Sequence, residues 1–188
     1  MTNSVLFIHS AGDQSGAEGS GPLVAALRAG LPAGTRFAAP IMPRPNEPDA
    51  AAWAAALGGH LRQQQGPLVL VGHSLGGSVL LRYLADHGIP AGLAGVVAIA
   101  APFWEASGWE QEWALPPGFE AQLAGLPRTA LYHSRDDDVA PVSHVDRYAE
   151  ALPKALVRKV DGRGHLFSDG NVADIVADIA AAFAARSG

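Results

Sequence analysis

Residues 68–78 constrain the possible fold more than any other part of the chain. Four apolar residues lead directly into Gly-His-Ser-Leu-Gly at 72–76, and a helical pattern follows without a gap. A sharp turn from a strand into a helix holds a serine in a strained backbone conformation with its hydroxyl exposed. We predict such a turn at Ser74, where side chains at Gly72 and Gly76 would collide across the turn. The alternative is a serine that caps an ordinary helix.

Composition limits the class of protein. The 188 residues are enough for one domain with a sizeable core, and 48% hydrophobic against 16% charged residues is typical of a globular chain. The net charge is −5 and no Lys/Arg run occurs, so we expect neither a nucleic-acid nor a membrane partner. Cysteine is absent, which excludes disulfides and thiolate zinc sites. The N-terminus lacks the basic region of a signal peptide, and we expect a cytoplasmic protein. The sequence does not indicate the oligomeric state.

Apolar runs alternate with helical patterns along the chain. The predicted strands are 4–9, 36–39, the run before Ser74, 93–100, 129–133 and 156–160. The predicted helices are 22–28, 49–64, the one from Ser74 to about 87, 143–152 and 172–186. This alternation predicts an α/β fold with a parallel sheet and right-handed crossovers, in a single domain over residues 1–188.

Residues 101–127 interrupt the alternation with tandem prolines, several glycines and three of the four tryptophans. We predict a short, lid-like, aromatic-rich insertion above Ser74. Four of its side chains would line the substrate pocket: Phe103, Trp104, Trp109 and Trp113. The alternative is that these aromatic residues anchor an irregular connection to the core, since large aromatic side chains serve both purposes.

A serine hydroxyl is a weak nucleophile, so it needs a base that is in turn oriented by an acid. In a parallel α/β sheet these groups should follow later strands, in the order Ser, Asp or Glu, His. His165 follows the last predicted strand across a loop with two glycines, and we predict that it is the base. Other histidines lie beside helices, precede the acid or sit within the turn: His60, His87, His144, His133 and His73.

The predicted acid lies among three consecutive aspartates that follow the strand ending at His133. Neighbouring side chains point in different directions, so only one can face the imidazole. We favour Asp137 over Asp136 and Asp138, with Glu105 as an outside candidate. The alternative for these aspartates is a turn that caps the helix after it.

Two N–H donors are needed to stabilise the oxyanion that such a serine creates. The backbone of Leu75, directly after the nucleophile, should supply one of them. The loop after the first strand should supply the other, for which we choose Ala11 over Gly12.

These residues together resemble the α/β-hydrolase superfamily. Residues 72–76 match its G-H-S-x-G elbow, 137–141 are similar to its D-x-V-V-P acid segment, and 164–165 match the G-H of its histidine loop. Residues 9–12 are similar to its H-G-x-G oxyanion loop, but Ser10 replaces the first glycine. The resemblance also singles out Asp137 among the three aspartates.

Within the superfamily, the chain looks most like the compact, capless serine hydrolases of the RBBP9/YdeN type. That resemblance implies three α/β/α layers around a six-stranded parallel sheet in the order 2-1-3-4-5-6. It also implies the loss of the superfamily's first two strands and of its cap domain.

The function predicted from these features is that of a serine hydrolase, a carboxylesterase acting on small apolar acyl esters through an acyl-enzyme. Ser74, His165 and Asp137 would form the triad, and neither a metal nor a cofactor is required. Thioesterase, amidase and perhydrolase chemistry would use the same triad. A non-catalytic binding module on a hydrolase fold is the alternative from another class of protein.

Overall fold

The computed structural model describes residues 2–14, 16–105 and 111–187. The strands are β1 (Ser4–Ile8), β2 (Arg36–Ala38), β3 (Leu68–His73), β4 (Leu93–Ile99), β5 (Arg128–Ser134) and β6 (Leu156–Val160). The helices are α1 (Gly21–Gly30), α2 (Ala50–Arg62), α3 (Leu75–His87), α4 (Phe119–Leu123), α5 (Ser143–Ala151) and α6 (Ala173–Ser187).

All six strands are parallel and lie in the order β2-β1-β3-β4-β5-β6. The strands β1, β3 and β4 are buried along their whole length, which explains their continuous apolar sequences. The edge strands β2 and β6 are more exposed and carry charged residues. The predicted sheet order is confirmed.

Helices cover both faces of the sheet. On one face, α1 and α6 pack against alternate strand residues through Leu23, Leu27, Ile175 and Ile179. On the other face, α2, α3, α4 and α5 bury Trp53, Leu80, Phe119 and Tyr148 against the remaining strand residues. The predicted three-layer α/β/α architecture is confirmed.

The short helix α4 was not predicted from the sequence. It lies within the irregular segment 101–127, and its Phe119 and Leu123 are buried in the core that includes α3. Five residues are too few to show a helical period, so the pattern gave no signal. The other predicted elements differ from the observed ones by at most two residues at either end.

Parallel pairing places the carboxyl ends of all the strands at one edge of the sheet. The loops after β1, β3, β5 and β6 therefore meet there, and they contain all the predicted catalytic residues. No helix within the described ranges is long and apolar enough to cross a membrane.

Candidate active site

Ser74 lies on the turn between β3 and α3 with φ 53° and ψ −124°, a conformation rare for any residue other than glycine. Its N–H donates to the Ile99 carbonyl at 2.8 Å, and its own carbonyl accepts from the Gly77 N–H at 2.9 Å. The Ser74 hydroxyl makes no capping hydrogen bond to α3, so the alternative of a serine that caps an ordinary helix is wrong. Neighbouring backbone holds the strained serine in place.

The glycines on either side of Ser74 are required by close backbone approach. A Cβ atom on Gly72 would lie 2.6 Å from the Gly76 carbonyl oxygen, and one on Gly76 would lie 2.3 Å from the Ile8 carbonyl oxygen. The first distance shows that the turn is too tight for a side chain at Gly72. The second shows that the end of β1 passes directly against the start of α3.

The loops after β5 and β6 bring an imidazole and a carboxylate to Ser74. The His165 Nε2 lies 2.8 Å from the Ser74 Oγ, and the His165 Nδ1 lies 2.8 Å from one Asp137 oxygen and 3.0 Å from the other. Because a carboxylate accepts hydrogen bonds, Nδ1 carries the proton and Nε2 is free to accept the serine proton. The arrangement can activate the hydroxyl for attack on an electrophile.

The Asp137 carboxylate is fully buried and is held by several donors. One oxygen accepts from the N–H groups of Val139 at 2.9 Å and Ala140 at 2.8 Å. Burial alone would raise the pKa of Asp137, but these backbone donors and the His165 imidazole outweigh it and lower the pKa below its ordinary value. The carboxylate is therefore charged at neutral pH.

The other acidic candidates lie elsewhere. Asp136 accepts from the Ser134 hydroxyl and from the Gly162 N–H at 3.0 Å, so it supports the histidine loop rather than the imidazole. Asp138 is exposed, and Glu105 pairs with Arg147 on the surface. None of the aspartates caps α5, whose cap residue is Val142 without a side-chain bond.

Two buried histidines that the sequence did not mark as functional contact this arrangement. His133 Nε2 donates to the Ala140 carbonyl at 2.8 Å and lies 3.1 Å from an Asp137 oxygen. His73 Nε2 donates to the His165 carbonyl at 2.9 Å, and its Nδ1 accepts from the Ser20 hydroxyl at 2.8 Å. Burial lowers the pKa of His73 to about 4, so it is neutral at pH 7. The His73 contacts join loops that are far apart in the sequence, so no local pattern indicates them. The His133 contacts are local and depend on how the loop after β5 folds.

The predicted oxyanion donors belong to the first residue of α3 and to the loop after β1. Leu75 is the first residue of α3, where a helix leaves its N–H groups without partners inside the helix. In the loop after β1, the Gly12 N–H donates to the Pro45 carbonyl at 2.8 Å and is therefore occupied. This favours Ala11 over Gly12 as the second donor.

Comparison with known proteins identifies the family. A family model described as "Serine hydrolase" matches residues 27–174. The chain belongs to the serine hydrolase family. A comparison with curated protein sequences finds no match.

The serine hydrolase is also similar to several solved structures. The ydeN gene product from B. subtilis is 22% identical, with a TM-score of 0.78 over 96% of this chain and 100% of that one. An esterase domain from Rhodothermus marinus is 18% identical, with a TM-score of 0.70 over 98% and 87% of the two chains. A thioesterase domain from the curacin biosynthetic pathway is 13% identical, with a TM-score of 0.72 over 95% and 91%. At these identities the likeness shows the α/β-hydrolase fold alone.

The predicted pocket residues of the serine hydrolase have different surroundings. Trp113 is buried and packs edge-on against Trp53 of α2, with ring centroids 6.4 Å apart, so it anchors the segment to the core. Phe103 is half-buried and packs against Phe119 and Tyr148. Trp104 lines a cavity of about 230 Å³ together with Phe103. Trp109 lies outside the described residues, and its place in the pocket stays a prediction.

A cavity with an apolar lining lies far from Ser74. It measures about 370 Å³ and is bounded by Leu123, Pro127 and Leu152. These residues lie near the amino ends of β5 and β6, whereas Ser74 follows the carboxyl end of β3. This cavity therefore lies at the opposite end of the strands from Ser74, and we do not assign it to the substrate.

Proposed function

We propose that this serine hydrolase is a carboxylesterase with Ser74 as nucleophile, His165 as general base and Asp137 as the orienting acid. The observation that supports the proposal is the continuous line of hydrogen bonds from Asp137 through His165 to Ser74, with both imidazole contacts at 2.8 Å. The strained backbone of Ser74 adds to it, because such strain persists where a function requires it.

The first half of the reaction acylates the enzyme. The Ser74 Oγ attacks the ester carbonyl carbon while His165 Nε2 takes the serine proton, and Asp137 stabilises the resulting imidazolium. The carbonyl oxygen becomes an oxyanion that accepts hydrogen bonds from the N–H groups of Leu75 and Ala11. The tetrahedral intermediate collapses when the C–O bond to the alcohol breaks, and His165 gives its proton to the departing alcohol.

The second half releases the acid. A water molecule attacks the acyl carbon of the Ser74 ester, and His165 Nε2 takes one of its protons. The same two N–H donors stabilise the second oxyanion. When the bond to the Ser74 Oγ breaks, His165 returns the proton to the serine, which restores the enzyme.

Exposed apolar side chains beside the triad favour a substrate with an apolar part. Val139 is 67% exposed and lies two residues after Asp137, and Leu166 is 41% exposed and directly follows His165. An apolar acyl group that covered these two side chains would remove their apolar surface from water, which favours binding. We therefore propose esters of small apolar acids as the substrate class.

A panel of nitrophenyl esters of increasing acyl length tests this function, with acyl-CoA thioesters and amides measured in parallel. We expect an initial burst of nitrophenol and turnover of the esters by the wild type, and no turnover by Ser74→Ala. The matched control is Ser143→Ala, because Ser143 is an exposed serine at the start of α5. Preferential turnover of thioesters or amides would replace the ester proposal, and no turnover of any substrate would favour a binding module.

A further inference from the structure

The loop after β1 presents three consecutive backbone N–H groups near Ser74. The Ser10 N–H donates to the Ser20 hydroxyl at 2.9 Å, and the Gly12 N–H donates to the Pro45 carbonyl at 2.8 Å. Between them, the Ala11 N–H makes no hydrogen bond with any other part of the chain that the structure describes. Within the described residues, the Ala11 N–H is therefore available to donate a hydrogen bond to a bound molecule.

The carbonyl of the same peptide unit is held by a buried side chain. Gln14 Nε2 donates to the Ser10 carbonyl oxygen at 2.7 Å, and Gln14 Oε1 accepts from the Met42 N–H at 2.7 Å. A backbone N–H can only donate, so the Met42 contact fixes which end of the Gln14 amide is the oxygen. The NH₂ end must then face Ser10.

This contact determines the direction of the Ala11 N–H. The Ser10 carbonyl and the Ala11 N–H belong to one planar trans peptide, in which the two groups point in opposite directions. We propose that Gln14 is a positioning residue that turns the Ala11 N–H toward the oxyanion by holding the Ser10 carbonyl on the opposite side. The inference rests on the function proposed above and deepens it.

The position of the loop supports this role. A Cβ atom on Gly76 would lie 2.3 Å from the Ile8 carbonyl oxygen and 2.5 Å from that of His9. The chain that leads into Ala11 therefore crosses the start of α3, which also carries the Leu75 N–H. One donor from each loop can then face the same oxygen atom, as an oxyanion hole requires.

Losing the Gln14 contact would free this peptide to turn over. In the reversed orientation the Ser10 carbonyl would face the site, where its oxygen would repel the oxyanion instead of stabilising it. Ser10 replaces the first glycine of the related H-G-x-G loop, and both sides of this residue are anchored, its N–H by Ser20 and its carbonyl by Gln14.

The test is Gln14→Glu, which keeps the size of the side chain and the acceptor for Met42 but removes the donor to Ser10. Gln64→Glu is the matched control, because the Gln64 amide also donates to a backbone carbonyl, that of His60 at 3.2 Å. This contact lies at the C-terminal end of α2. We expect Gln14→Glu to lower kcat about 10- to 100-fold with KM nearly unchanged. Gln64→Glu should behave as the wild type.

A transition-state analogue separates positioning from a general loss of structure. A trifluoromethyl ketone forms a tetrahedral oxyanion on Ser74, so its inhibition constant should rise in Gln14→Glu by the same factor as kcat falls. Gln14→Glu also buries a carboxylate against the Ser10 carbonyl oxygen, so its melting temperature should fall by more than the loss of one hydrogen bond explains, and the kinetics are measured at a temperature where the variant is folded. Gln14→Met, which has no charge and no donor, should show the same kinetic pattern if Gln14→Glu does not fold.

Unchanged kcat and unchanged ketone inhibition in a folded Gln14 variant would overturn the inference while leaving the proposed function intact. Failure of the wild type to hydrolyse esters or bind the ketone would instead contradict the proposed function. In that case the positioning role of Gln14 is tested by NMR, through the ¹³C chemical shift of the Ser10 carbonyl and the ¹⁵N chemical shift of Ala11. A change at both atoms in Gln14→Glu but not in Gln64→Glu supports its positioning role, and no change refutes it.

Discussion

His73 donates a hydrogen bond from Nε2 to the backbone carbonyl of His165 at 2.9 Å. The residue before Ser74 therefore holds the main chain of His165. Because Nε2 must donate, Nδ1 accepts from the Ser20 hydroxyl, and Ser20 Oγ in turn accepts from Ser10. One neutral imidazole thus joins the elbow, the histidine loop and the loop after β1.

The first prediction concerns stability as a function of pH. Burial lowers the pKa of His73 from 6.5 to about 4, so between these values the unfolded chain binds a proton that the folded chain does not. Stability therefore falls as the pH is lowered from about 6.5 toward 4, by a few kcal/mol from this residue. Urea unfolding of the wild type at several pH values should show this slope.

His73→Gln should reduce that slope, because the glutamine does not titrate. His9 and His144 also have pKa values lowered by burial and contribute to the remaining slope, while Asp137, with its own lowered pKa, acts at the acid end of this window and below it. An equal slope in wild type and variant would contradict the assignment to His73.

The second prediction concerns the acid. Asp137→Asn should lower kcat about 10³- to 10⁴-fold, because the amide no longer holds His165 in the required tautomer. The neighbouring Asp138 is exposed and makes no contact with the imidazole in the described structure, so Asp138→Asn serves as the control. Steady-state kinetics on a nitrophenyl ester would measure both. A larger loss of kcat in Asp138→Asn than in Asp137→Asn would show that the assignment of the acid to Asp137 is wrong.

The third prediction concerns the crowding at the elbow. Gly76→Ala should destabilise the fold by about 2 kcal/mol or more, because its Cβ would meet the backbone carbonyls of Ile8 and His9, which cannot move aside. Gly59→Ala on α2 is the control, since its Cβ would meet only an Arg62 nitrogen at 3.9 Å. That substitution should stabilise the helix by up to about 1 kcal/mol. Urea unfolding measures both, and equal effects would contradict the argument.

The fourth prediction concerns the aromatic segment. Trp113→Ala should lower the free energy of unfolding by about 3–5 kcal/mol, because the side chain is buried against Trp53. Trp104→Ala should cost less, since Trp104 is only partly buried. The relative preference for esters of different acyl length should stay the same in Trp113→Ala. A changed preference with little loss of stability would indicate a pocket wall instead of an anchor.

Much of the fold could be predicted because its signals are local. The buried strands β1, β3 and β4 are continuous apolar runs, and α2 combines alanines with an Asp49 carboxylate that accepts from the Ala52 N–H at 2.7 Å. The residues that meet at Ser74 could also be predicted, because each follows a strand of a parallel sheet. The short helix α4 has no such periodic signal.

The supporting residues could not be predicted, because their contacts depend on the folded chain. Gln14 joins Ser10 to Met42, and Ser20 joins Ser10 to His73, across loops that are distant in sequence. His133 precedes the predicted acid in the chain, an order that predicts no role for it, yet its Nε2 lies 3.1 Å from an oxygen of Asp137. Residue type and order along the chain predict that Ser74, Asp137 and His165 meet, but not which side chains contact their loops.

The most direct test of the proposed function is reaction with a fluorophosphonate probe, followed by mass spectrometry of the intact protein and its peptides. We predict one adduct per chain, on the peptide that contains Ser74. Ser74→Ala should give no adduct, and His165→Ala should react far more slowly because the hydroxyl loses its base. An unlabelled wild type, or an adduct that persists in Ser74→Ala, would contradict the assignment of Ser74 as the nucleophile.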